Sequence, residues 1–196
     1  MSDIPGKKQS LVEAYKAALS QWPAGHFYAS DHDHDDIKVF ERMADVIRSY
    51  DPDDITATCV KASILILPQG SYHRSDGCPE KRFAEAAKLL RPIIEAGENN
   101  KNLISDFAHS LYYTGEYTEA VPHLRALREF YPGDNYNAMM LCYALFKAGQ
   151  KAEALQLFQP LIDQFPDLMP SFNDEITEMI KAGHQVISKL VPTPGN

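Results

Sequence analysis

Apolar residues recur along much of this chain at the three- to four-residue spacing that places side chains on one face of an α-helix. Near the C-terminus, Phe172, Ile176 and Ile180 form such a stripe after Ser171, a residue type that caps helix N-termini well. Segments rich in Gly, Pro and Ser interrupt the apolar stretches. The pattern predicts an all-α protein of about eight or nine helices with no β-sheet. The last of these is a capping helix over residues 170–190.

The helical stretches also repeat with a period of 34 residues. A glycine, an alanine and a proline carry this period, as the pairs Gly115 and Gly149, Ala120 and Ala154, and Pro132 and Pro166. Ala86 lies one further period upstream. Glycine ends a helix at low cost in the left-handed conformation, and proline does not continue one. Each period therefore predicts two helices, with the glycine between them and the proline after the second.

The repeated alanines predict how the two helices of a period pack. A side chain as small as alanine lets the second helix approach the first closely. A hairpin of two helices does not bury its apolar face alone, so successive hairpins are expected to stack on each other.

This pattern resembles the tetratricopeptide repeat (TPR) family, whose units have small residues at the eighth and twentieth positions, a large apolar residue at the twenty-fourth and proline at the thirty-second. Counted from Lys101 and from Asn135, these positions hold Ala108, Ala120, Leu124 and Pro132, and then Cys142, Ala154, Phe158 and Pro166. The aromatic residue usual at the fourth position is replaced by Ile104 and Ala138, so the two copies are divergent. The resemblance implies a right-handed solenoid of helical hairpins.

We interpret the whole chain, residues 1–196, as a single TPR-like domain. Its expected parts are a degenerate hairpin 7–52 with a long loop 23–35, a hairpin 55–100 with an inserted loop 68–80, the repeats 101–134 and 135–168, and the capping helix 170–190.

Charge and cysteine content narrow the class of protein. The chain has 19 Lys and Arg residues against 27 Asp and Glu residues, which gives a net charge of -8. Nucleic-acid binding needs clustered positive charge, so we expect no such partner. No stretch is long and apolar enough for a membrane helix, no signal peptide is visible, and the three cysteines form no CxxC pair. These features predict a cytoplasmic protein.

Histidines in the two long loops are the candidates for metal binding. In stacked hairpins both loops fall on one edge, which would bring His32 and His34 towards His73 and Cys78, and such a set suits zinc or nickel. The alternative is that both loops are solvated decoration or contact a partner, and we favour this reading because the cluster matches no metal motif. The sequence contains no nucleotide-binding or nucleophile motif, so we expect a non-catalytic protein without a cofactor.

The family resemblance also implies a binding surface. In TPR proteins the first helix of each hairpin lines a concave groove. Carried onto this chain, the groove positions include Asn102, His109, Tyr112, Tyr113, Tyr136, Met139, Tyr143 and Phe146, with Ser105 and Lys147 beside them. A groove rich in aromatic residues favours an apolar or amphipathic segment of a protein partner. We therefore predict a protein-binding module with a chaperone-like, adaptor or regulatory role.

One further alternative is a scaffold that associates with itself. Ile176 and Ile180 of the predicted capping helix would then pair two copies into a homodimer.

Overall fold

A computed structural model describes residues 4–20, 34–66 and 79–164 of the chain. This part contains eight α-helices and no strand. The helices are α1 (Ile4–Leu19), α2 (His34–Tyr50), α3 (Ile55–Ile66), α4 (Pro79–Glu95), α5 (Lys101–Tyr113), α6 (Tyr117–Phe130), α7 (Asn135–Lys147) and α8 (Lys151–Gln164). The prediction of an all-α fold of helical hairpins is confirmed. The capping helix predicted at 170–190 lies outside the described residues.

The chain divides into two compact units, Met1–Gly115 and Glu116–Asn196. In the first unit, α1, α2 and α3 share a core, and α4 packs against both α3 and α5. The side chains that α1, α2 and α3 bury together are Val12, Leu19, Ile37, Ala44, Ile47, Ala57, Val60 and Ile64. Ala86 of α4 is fully buried, as its place in the repeat predicts.

In the second unit, α7 packs against both α6 and α8. Ala120 of α6 and Ala154 of α8 are fully buried. Cys142 and Phe158 form a small core to which Leu157 and other apolar side chains add. The buried alanines agree with the close packing that the repeat predicts.

Local signals fix the helix ends in both units. Gly115 and Gly149 have φ values of 80° and 83°, which confirms the left-handed ends predicted for α5 and α7. After Gly149 the amide of Gln150 donates to the carbonyl of Leu145 at 2.8 Å, a six-residue closure that satisfies a carbonyl of the last helical turn.

Three helices begin earlier than the sequence pattern predicts. α1 begins at Ile4, before the predicted hairpin 7–52, and α2 and α4 begin at His34 and Pro79, inside the predicted loops 23–35 and 68–80. The starts of α1 and α4 have a proline, Pro5 or Pro79, in the first turn, where the missing N–H has no intrahelical partner to lose.

Candidate partner-binding surfaces

The predicted groove positions of α5 all stay accessible, and Lys101 at the start of the helix is exposed as well. Its buried residues are Leu103, Ile104, Asp106, Phe107, Ala108, Ser110 and Leu111. Asn102, Ser105, His109, Tyr112 and Tyr113 lie between them at helical spacing and are half-buried or exposed. We call these five residues the α5 stripe.

Aromatic rings concentrate at the C-terminal end of the α5 stripe. The ring of Tyr113 stacks on Phe83 of α4 with 4.6 Å between centroids, and Tyr112 meets Tyr113 edge to face at 5.3 Å. Tyr113 nevertheless keeps 43% of its surface exposed. Packing against neighbouring rings therefore limits the movement of an aromatic surface that remains available for contact.

The corresponding positions of α7 form a second stripe. We define the α7 stripe as Tyr136, Met139, Tyr143, Phe146 and Lys147. Tyr136 is 52% exposed, whereas Tyr143 is only 9% exposed. The ring of Tyr143 meets Tyr117 of α6 edge to face at 5.6 Å. Tyr143 therefore serves mainly as support within the second unit, and Tyr136 offers the larger accessible area.

Two lysines lie over rings near the C-terminal end of the α7 stripe. Lys147 Nζ is 5.3 Å from the centroid of the Tyr143 ring, and Lys151 Nζ, from the first turn of α8, is 5.4 Å from that of Phe146. An ammonium group at this distance is attracted by the negative face of the ring. This end of the stripe therefore combines positive charge with apolar surface.

Capped helix starts fix where both stripes begin. Asn100 Oδ1 accepts a hydrogen bond from the Asn102 amide at 2.9 Å. Asp134 Oδ1 accepts from the amides of Tyr136 at 2.9 Å and Asn137 at 3.1 Å. Asn100 and Asp134 lie one 34-residue period apart. The same spacing in the sequence is therefore a signal from which the two caps can be predicted.

A buried polar pair, which the sequence pattern does not reveal, lies behind the α5 stripe. Asp106 and Ser63 are both buried, and the Ser63 hydroxyl donates to Asp106 Oδ2 at 2.5 Å. Burial raises the pKa of Asp106 to about 7, although the hydrogen bond from Ser63 works in the opposite direction. The pair links α3 to α5, so it is a packing feature of the first unit.

A shallow cavity of about 300 Å³ lies among α6, α7 and α8. Charged side chains of both signs line it, and Arg125 pairs with Glu153 at 2.7 Å and with Gln150 at 3.1 Å. Because the charges offset each other, the cavity gives no preference for an anion or a cation. We do not assign it a ligand.

The predicted metal-binding residues belong to the two long loops and their borders. His32, His73 and Cys78 lie outside the described residues, and His34 begins α2 with a side chain that also lies outside them. Among the side chains that are described, no three His, Cys, Asp or Glu residues are grouped to hold a metal ion. The metal site stays a prediction for the two long loops.

None of the described helices is both long and apolar enough to span a membrane.

Comparison with known proteins identifies the repeats. A family model for the tetratricopeptide repeat matches residues 111–171. No curated protein and no solved structure gives a significant match to the chain. The matched segment includes all of α6, α7 and α8. It also includes the glycine, alanine and proline pairs that carry the 34-residue period. Residues 111–171 are therefore similar to the tetratricopeptide repeat, which confirms for this segment the resemblance that the 34-residue period carries.

Proposed function

We propose that this protein binds a partner protein through the α5 stripe of the first unit and the α7 stripe of the second unit, each as a contact surface of its own, and does not catalyse a reaction. Repeats of this family are protein–protein interaction modules, which gives the general class of function. The accessible aromatic residues carry the specific proposal. Tyr113 and Tyr136 expose 43% and 52% of their surface at two predicted contact positions.

The physical basis is the area that such side chains bury on contact. Tyrosine loses little conformational entropy when it is fixed, and tyrosine and arginine side chains are common where alanine substitutions weaken binding most. Met139 adds a flexible apolar side chain that adapts to different partner surfaces. This composition fits a chaperone-like, adaptor or regulatory partner of another protein, and we propose the cytoplasm as its compartment.

Affinity purification from the native cells tests this function. The wild-type protein is used as bait, and the proteins that co-purify are identified and quantified. Substituting Tyr113→Ser and Tyr136→Ser together is expected to reduce capture of the specific partner at least about tenfold, because each lost tyrosine costs roughly 1 kcal/mol or more.

A matched control distinguishes the stripes from tyrosine exposure in general. Tyr50 is 54% exposed on α2, outside both stripes, and Tyr50→Ser should leave capture unchanged. Circular dichroism must show the same helicity for all variants. Unchanged capture by the folded Tyr113→Ser, Tyr136→Ser protein would contradict the proposed function.

A further inference from the structure

The basic end of the α7 stripe contrasts with the charge of the chain as a whole. The net charge is -8, yet Lys147 and Lys151 both place their ammonium groups over aromatic rings of one unit, Lys147 over the buried Tyr143 and Lys151 over the half-buried Phe146. Phe146, below Lys151, also packs against the core formed by Cys142 and Phe158. This packing restricts the movement of the Phe146 ring, so the Lys151 ammonium group contacts a ring of fixed position.

Such placement makes the two lysines better receptors for negative charge than freely rotating lysines. Fixing a lysine side chain costs rotamer entropy, because the side chain has four rotatable bonds. The attraction between ammonium and ring already restricts these side chains, so less entropy is lost when a carboxylate binds. The aromatic surface beside the ammonium groups also excludes water from a neighbouring apolar contact.

We propose that the α7 stripe binds an acidic amphipathic peptide segment of the partner protein. Carboxylates of this segment pair with Lys147 and Lys151, and its large apolar side chains cover Tyr136, Met139 and Phe146. Charge complementarity selects this occupant over a basic or purely apolar segment. The inference rests on the proposed function, because it names the chemistry of the partner at one of the two stripes.

The length of the α7 stripe sets how long a bound helical segment is and where its carboxylates lie. Tyr136 and Lys147 are 11 residues apart on α7, which corresponds to roughly 16 Å along the helix axis. A bound helix of about 11 residues spans this distance. Its carboxylates would then lie at one end, two to three turns from its first apolar anchor.

Selection from a library of random peptides of about 12 residues tests the proposal without knowledge of the natural partner. Peptides displayed on phage are selected on the full-length protein. We expect the recovered peptides to combine Asp or Glu with large apolar residues. The tightest peptide is then synthesised with a fluorescent label, and its dissociation constant is measured by fluorescence anisotropy.

Charge-neutralising variants then assign the site. Replacing Lys147→Gln and Lys151→Gln together should weaken binding of the acidic peptide about tenfold. The same variant should bind a version of the peptide with Gln in place of its acidic residues as the wild type does. Lys81→Gln with Lys88→Gln is the control, because it makes the same change in net charge at two exposed lysines of α4.

Each result has a distinct meaning. Recovery of apolar peptides without acidic enrichment would overturn this inference and leave the proposed function standing. Equal weakening by the control pair would also overturn it, because general charge would then explain the effect. Recovery of no specific peptide would count against both proposals.

Discussion

Asp106 is a carboxyl group whose chemistry depends on two neighbouring helices. α3 supplies the Ser63 hydroxyl that donates to it, and packing removes it from water. An ionised carboxylate without its hydration is costly, so burial raises the pKa to about 7. In the unfolded chain the pKa returns to about 3.9. The folded state therefore holds this proton more tightly than the unfolded state does.

This difference predicts that raising the pH destabilises the fold. Below the unfolded pKa both states are protonated and the contribution of the neutral pair is complete. It is lost progressively as the pH rises to about 7, because the unfolded state ionises first. In the Asp106→Asn variant the side chain at this position is uncharged at every pH of the experiment. The free energy of unfolding of the wild type should therefore fall by about 1 to 4 kcal/mol more than that of the variant between about pH 4 and pH 8.

Urea unfolding followed by circular dichroism measures this difference. Asp53→Asn is the control, since Asp53 is exposed. Its pH profile should follow that of the wild type. Parallel profiles for wild type and Asp106→Asn would show that the carboxyl group is ionised in the folded protein.

At the scale of helices, backbone conformation and side-chain size decide how each hairpin closes. Gly149 has φ 83° and no neighbour that would obstruct an added Cβ. A substitution of Gly149 should therefore destabilise the fold only through backbone strain and not through a steric clash. We expect Gly149→Ala to lower the free energy of unfolding by about 1 kcal/mol, measured by urea unfolding. Gly133 is equally open but lacks a positive φ, so Gly133→Ala should be neutral or slightly stabilising.

The buried alanines give a second prediction at this scale. Ala154 of α8 is fully buried, so a larger side chain there has to push neighbouring helices apart. Ala154→Leu should destabilise the protein by about 1 to 3 kcal/mol in thermal or urea unfolding. Ala152 lies on the exposed face of the same helix. Ala152→Leu should have almost no effect, and equal losses from both variants would refute the packing role of Ala154.

At the scale of the whole molecule, each compact unit carries its own buried thiol. Cys59 lies in the first unit and Cys142 in the second, and both are free. Burial raises the pKa of each to about 12, and for Cys59 the negative charges of Asp106, Glu98 and Asp54 add to this. Since the thiolate is the reactive form, both groups should be inert in the folded protein.

Thiol labelling therefore reports the unfolding of each unit separately. In a Cys78→Ser background, Cys59 and Cys142 should react with a maleimide at least about a hundredfold more slowly in the folded protein than in urea. Mass spectrometry of the labelled peptides gives the urea concentration at which each thiol becomes reactive. Rapid labelling of either cysteine in the native protein would contradict its burial.

The sequence alone determined the class of fold, the 34-residue period, the left-handed glycines and the buried alanines of the repeat. The family resemblance that these residues carry also implied which positions of α5 stay accessible. These properties depend on residues close in sequence or on one repeated pattern. The starts of α1, α2 and α4 lie before the predicted ones, because the first turn of a helix accepts residue types, proline among them, that are also common in loops.

Tertiary packing determined the burial and the charge environment of individual side chains. The Ser63 hydroxyl of α3 donates to the buried Asp106, the Tyr117 ring of α6 meets Tyr143 edge to face, and the packing of α7 with α8 brings Lys151 over Phe146. Burial and charge at these residues depend on side chains distant in sequence, and their effects on pKa and on binding follow from those neighbours. The repeat therefore fixed where a surface for a partner would form, and the packing of its helices fixed which chemistry that surface presents.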